Sequence, residues 1–119
     1  MTNVQKSKRF NLEERTLIFA QDVRKLVSRL PKTIQNNEDA KQLVRSSGAI
    51  GANYIEGNEA LGKKDFVMRL RISRKEAKES AFWLSLLESN ENGIAECHRL
   101  RSEAREIMLI LTAIINKVS

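Results

Sequence analysis

The residues most able to do chemistry lie between Lys63 and Lys78, where seven Lys or Arg side chains face two acids, a local balance of +5. At about 100° per residue on a helix, Lys64, Arg71, Arg74, Lys75 and Lys78 share one arc, away from the apolar stripes of the same segment. A ridge of five cations at helical spacing can follow a phosphate backbone without reading base sequence. The plainer use of such a face is to keep the protein in solution. No aromatic residues interleave with the cations as a base-stacking surface would need. Arg69 points elsewhere and is placed to pair with Asp65 or Glu76.

Other chemistry is poorly served. A di-iron bundle needs inward-facing glutamates and Glu-x-x-His pairs. The one histidine, His98, has Ala95 three residues before it and Glu96 on another face. Ser46 and Ser47 have no His or Lys base at a useful helical spacing and read as small packing residues. Gly48-x-x-Gly51 falls inside a helix and lacks the Gly-Lys ending of a phosphate loop. Cys97 sits in an apolar register, as a packed thiol does. The expectation is a protein without enzymatic activity, metal or cofactor.

The whole chain has 119 residues and a net charge of +6, with one Cys and one Pro. That is the size of one domain. A single Cys forbids an intrachain disulfide and suits a reducing cytoplasm. The first residues lack the apolar core of a signal peptide. The greasiest run, Ile107 to Ile115, is too short to span a bilayer. A cytoplasmic protein without membrane association is expected.

Four amphipathic segments position the candidate residues. Residues 1–10, with Lys6, Lys8 and Arg9, read as a basic arm before a bundle domain at 11–119. Asn11 and Glu14 resemble a capping box opening a helix over about 12–30. Its seam is Leu12, Thr16, Phe19, Val23, Leu26 and Leu30, and Pro31 ends it. A second helix, about 38–56, takes Asn36 or Asn37 as its cap and Gly57 as a left-handed terminator. It carries Gly48 and Gly51, which predict close approach of another backbone. Asn53 is its buried polar residue, pairing with a neighbouring helix.

The third helix, about 63–89, has the seam Phe66, Leu70, Ser73, Ala77, Ser80, Leu84 and Leu87. Its small residues are expected opposite the two glycines. A second stripe, Met68, Ile72, Trp83 and Leu86, is either one edge of a wide buried face or a subunit interface, and the interface is preferred. Asn90-Glu91-Asn92-Gly93 reads as a turn before a fourth helix at about 94–118. The seam there is Cys97, Leu100, Ala104, Ile107, Leu111, Ile114 and Val118, with Met108, Ile110 and Ile115 widening the arc. Four helices with short links predict an all-α, up-down-up-down antiparallel four-helix bundle.

Ser47-Gly-Ala-Ile-Gly-Ala-Asn-Tyr-Ile-Glu-Gly57, then Lys64-Asp-Phe66 and Glu76-x-x-Glu79-x-x-x-Trp83-Leu-x-Leu-Leu87, resembles a known family. It is the small bacterial four-helix-bundle family encoded in intervening sequences of large-subunit ribosomal RNA genes, often labelled a ribosomal protein. Members are similar in fold to the accessory protein of diversity-generating retroelements. That protein forms a five-subunit barrel, binds nucleic acid through a basic surface and associates with a reverse transcriptase. The resemblance implies a ring-forming bundle, a homopentamer, with no enzymatic activity. The stripe on the third helix then becomes part of the ring contact. Arg71, Arg74, Lys75 and Lys78 become a cationic surface repeated around the ring for RNA or DNA, with a reverse transcriptase as a partner. The competing reading is a protein–protein interaction module with no nucleic-acid role.

Overall fold

A computed structural model describes residues 11–119, and the basic arm expected over residues 1–10 lies outside them. Four helices account for nearly all of it: α1 (Leu12–Ser28), α2 (Ile34–Asn58), α3 (Lys63–Leu86) and α4 (Glu91–Val118). The amide of Glu14 donates to Asn11 Oδ1 at 3.2 Å, capping α1 as its sequence predicts. The chain turns at Arg29, just ahead of Pro31.

Two helix starts differ from expectation, each through the role an Asn takes. Helix α2 begins at Ile34, four residues early, with the Thr33 hydroxyl accepting from the Asn36 amide at 3.1 Å. The Asn36 side chain does not cap the helix. It is buried and donates to the carbonyls of Pro31 (3.1 Å) and Glu88 (2.8 Å) while accepting from the Glu88 amide at 3.0 Å. One amide thus ties the α1–α2 link to the α3–α4 link. Helix α4 begins at Glu91, with Asn90 Oδ1 accepting from the Gly93 amide, so the expected turn is mostly the first turn of the helix.

Contacts run α1–α2, α2–α3, α3–α4 and α4–α1, closing a ring of four helices. The pairs that meet across each boundary run in opposite senses: Ser46 with Ser80 and Ile50 with Ser73, or Arg15 with Glu103 and Asp22 with Arg99. The architecture is the up-down-up-down antiparallel bundle that the sequence predicts. Its core takes Leu12, Phe19, Val23 and Leu26 from α1, Leu43 and Ile50 from α2, Leu70, Ala77 and Leu84 from α3, and Leu100, Ala104, Ile107 and Leu111 from α4. Near the C-terminus Ile115 is the fully seated residue, while Ile114 packs partly buried at the edge.

The small residues are used differently from the expected pairing. Gly51 faces α1, where an added Cβ would come within 2.8 Å of Thr16 Oγ1. Along the middle of the α2–α3 contact, serines rather than Gly48 or Gly51 let the two helices approach. Ser46 and Ser80 hydroxyls meet at 2.8 Å, and Ser73 donates to the Ile50 carbonyl at 2.7 Å. Buried hydroxyls that keep hydrogen-bond partners carry little desolvation cost. Gly57 has no positive φ and stays helical. What demands glycine there is contact with α3, since a Cβ would meet Leu70 Cδ1 at 2.9 Å and Arg69 Cβ at 3.3 Å.

Candidate nucleic-acid interface

Helix α3 sets the interface by burying one side. Its seam of Leu70, Ser73, Ala77, Ser80 and Leu84 is fully enclosed, which leaves the opposite arc to solvent. Lys64, Arg71, Lys75 and Lys78 are exposed on that arc. Arg74 is half-buried at its edge, where Nη1 donates to Thr112 Oγ1 of α4 at 3.2 Å.

None of these five cations makes an ion pair among the described residues, whereas Arg15, Lys41, Arg45 and Arg99 do. Arg15 meets Glu103 at 2.7 Å across α1–α4, and Arg99 meets Glu96 at 2.7 Å and Asp22 at 2.9 Å. Arg45 of α2 reaches Glu76 at 3.1 Å and also pairs with Glu79. At the α3–α4 boundary the arginines meet hydroxyls instead: Arg74 finds Thr112, and Arg101 donates to Ser85 Oγ at 3.3 Å. A neutral acceptor fixes a guanidinium without cancelling its charge, so positive potential stays on this side of the bundle.

The apolar stripe is not set apart from the cations. Met68 and Leu86 are 44% and 45% exposed, while Ile72 and Trp83 are half-buried. Lys64, Arg71 and Lys75 line one open depression of about 770 Å³ with Met68 and Ile72. The expected separation fails because Lys64 and Lys75 project within roughly 20–40° of Met68 round the helix. Cations and apolar side chains share a continuous surface.

Trp83 is held from the α2 side. Its Nε1 donates to Glu79 Oε2 at 3.1 Å, and Glu79 in turn accepts from Arg45. The indole hydrogen bond, helped by Arg45 and opposed by burial, holds the Glu79 carboxyl below the usual glutamate range. Glu76, on the same flank, is 8% exposed and depends on Arg45 for its side-chain partner. With Arg45 on Glu76, Arg69 pairs with neither Glu76 nor Asp65. It donates to Asn53 Oδ1 at 3.2 Å, supplying the interhelical partner predicted for that asparagine.

Sequence reasoning missed two neighbours of the cationic arc. Arg105, exposed and one turn beyond Arg101 on α4, adds a cation on the flank facing α3. Phe82 is 56% exposed on α3, with its ring edge-on to Trp83 at a centroid distance of 5.1 Å and an interplanar angle of 73°. Both were findable by helical spacing: Phe82 follows Lys78 by four residues and Lys75 by seven.

Cys97 is buried, and burial pushes its thiol up, away from the reactive thiolate. His98 Nδ1 accepts from Arg101 Nη2 at 2.6 Å. Among the described residues no three His, Cys, Asp or Glu side chains gather as a metal site would require. No helix among them is long and apolar enough to cross a membrane.

Comparison with known proteins places this surface on a recognised scaffold. A crystal structure of a protein of unknown function from the S23 ribosomal protein family of Bacteroides thetaiotaomicron VPI-5482 is similar, with a TM-score of 0.74 and 29% identity. The match covers 87% of this chain and 96% of that one. No curated protein matches. The family model described as 23S rRNA-intervening sequence protein matches residues 8–113, so the chain belongs to that family.

Proposed function

We propose that this protein is a non-enzymatic, ring-forming bundle that binds RNA or DNA phosphates through the outer arc of α3. The observation that carries the reading is the contrast in charge pairing. Arg71, Arg74, Lys75 and Lys78 have no carboxylate partner among the described residues, although Arg15, Arg45 and Arg99 all do. Unpaired cations along one helix offer phosphates a track that is independent of sequence. Met68, Ile72, Trp83 and Leu86 supply the subunit contact, supported by the exposure of Met68 and Leu86 beside the half-buried pair. The five-fold symmetry of the ring and its partnership with a reverse transcriptase rest on the family resemblance.

The test is a titration of labelled structured RNA and duplex DNA across a salt series. Wild type should bind at low salt and weaken steeply as salt rises. The variant with Arg71, Arg74, Lys75 and Lys78 all changed to Gln should lose most of that binding. No binding by wild type at low salt would overturn the nucleic-acid reading and leave a protein-interaction module. Sedimentation tests the ring: Ile72→Glu should shift it to smaller species, and a wild-type monomer at micromolar concentration would defeat the interface.

A further inference from the structure

Phe82 is placed where burial would normally be favoured and is not achieved. Phe19 is 1% exposed, and Tyr54, Phe66 and Trp83 all pack on the core, yet Phe82 stands 56% open to solvent. At about 100° per residue it projects in the same direction as Lys64, about 20° from Lys75 and about 40° from Lys78. At 1.5 Å rise per residue, Lys78 lies about 6 Å and Lys75 about 10.5 Å along the axis. Helical side chains lean toward the N-terminus, so the ring leans over the turn that carries Lys78. The ring also has a fixed edge-on neighbour in Trp83, tied through Glu79 to Arg45 on α2. The result is an open aromatic surface, braced from one side, in line with two exposed lysines that make no ion pair among the described residues.

We propose that Phe82 is a base-stacking platform and that Lys75 and Lys78 take the flanking phosphates, so this face selects single-stranded over duplex RNA or DNA. The inference rests on the phosphate-binding reading above and narrows its ligand. In a duplex each base face is covered by its neighbours, whereas a single strand can splay a base onto an aromatic ring. Cations alone do not make that distinction, because both forms present phosphates. The stacking is tolerant of base identity, since every base has a π face.

The experiment measures binding of the full chain to an unstructured oligo-uridine strand, an oligo-thymidine strand and duplexes of the same length at fixed salt. Wild type should favour the single strands. Phe82→Leu keeps an apolar side chain on the surface but removes the π face. It should weaken single-strand binding about tenfold and leave duplex binding unchanged. Phe82→Tyr should restore it. Equal losses on the uridine and thymidine strands assign shared base-stacking chemistry, and a loss on the uridine strand alone assigns RNA. A Phe82→Leu variant that binds single strands as tightly as wild type overturns the platform while salt-sensitive binding survives. Absence of all wild-type binding removes the phosphate reading as well. A shift of Phe82→Leu to smaller species in sedimentation would instead make the ring a subunit contact and overturn the proposal.

Discussion

The boundaries α1–α4 and α3–α4 use arginine in opposite ways. Across the first, Arg15 and Arg99 each meet a carboxylate on the facing helix, and the pairs hold the two helices in antiparallel register. Across the second, Arg74 and Arg101 meet the hydroxyls of Thr112 and Ser85, and their charge remains uncancelled. The same residue type therefore fastens helices in one place and builds a positive field in the other. Composition reports a net charge of +6, but only the partner reveals which positive charges remain available.

Supplying the missing carboxylates is the strongest way to break this contrast. The double variant Ser85→Glu, Thr112→Glu gives Arg101 and Arg74 acidic partners. It should make the dependence of log affinity on log salt shallower by about one, as if the phosphate contact of Arg74 were lost. Stability by urea denaturation should change by less than about 1 kcal/mol, the usual size of a surface ion pair.

The next effect in size lies at Arg45. Its removal leaves Glu76 buried without a side-chain partner, so Arg45→Ala should cost about 1–3 kcal/mol in urea midpoint analysis. Arg99→Ala, at an exposed pair, should cost under about 1 kcal/mol. Equal costs would show that burial of the acid is irrelevant. The glycines give a smaller contrast of the same kind. Gly48→Ala meets only the flexible end of Arg24 at 3.7 Å and should gain up to about 1 kcal/mol from helix propensity. Gly51→Ala drives a Cβ to 2.8 Å from Thr16 Oγ1, which already donates to the Leu12 carbonyl at 2.7 Å, and should destabilise despite the same propensity gain.

The smallest effect is in acid. The carboxyls of Glu79 and Glu96 are held low, the first chiefly by Trp83 and then Arg45, the second by Arg99. A depressed folded-state pKa gives stability that is fully present above the unfolded value of about 4.3 and is lost as pH falls through the folded value. Trp83→Phe should therefore reduce the part of the acid-dependent stability loss that comes from Glu79, read by circular dichroism between neutral pH and the acid limb.

The inward half of each helix was legible from sequence because four-three spacing has one geometric meaning. Leu12, Phe19, Val23, Leu70, Leu84, Leu100 and Leu111 all reach the core as that spacing predicts. Residues with more than one use were not legible. Asn36 reads as a cap until Glu88, 52 residues away, takes its amide. Gly57 reads as a terminator until Leu70 crowds it. The pairing of Arg45 with Glu76 spans 31 positions and leaves no local signal. Of the candidate site, the cationic arc followed from spacing alone, but its freedom from carboxylates depended on α2 capturing Glu76 and Glu79. Phe82 is not legible as part of the arc from the cation run alone, because it lies one turn beyond Lys78, outside the Lys63–Lys78 segment.

Two triple variants that change net charge equally test the central claim most directly. One converts Arg71, Lys75 and Lys78 to Gln; the other converts Arg15, Lys41 and Arg99, all engaged in ion pairs. Measured against single-stranded RNA at low salt, the first should lose most of its affinity while the second keeps nearly all of the wild-type value. Equal losses would mean that binding follows overall charge and that the outer arc of α3 is not a site.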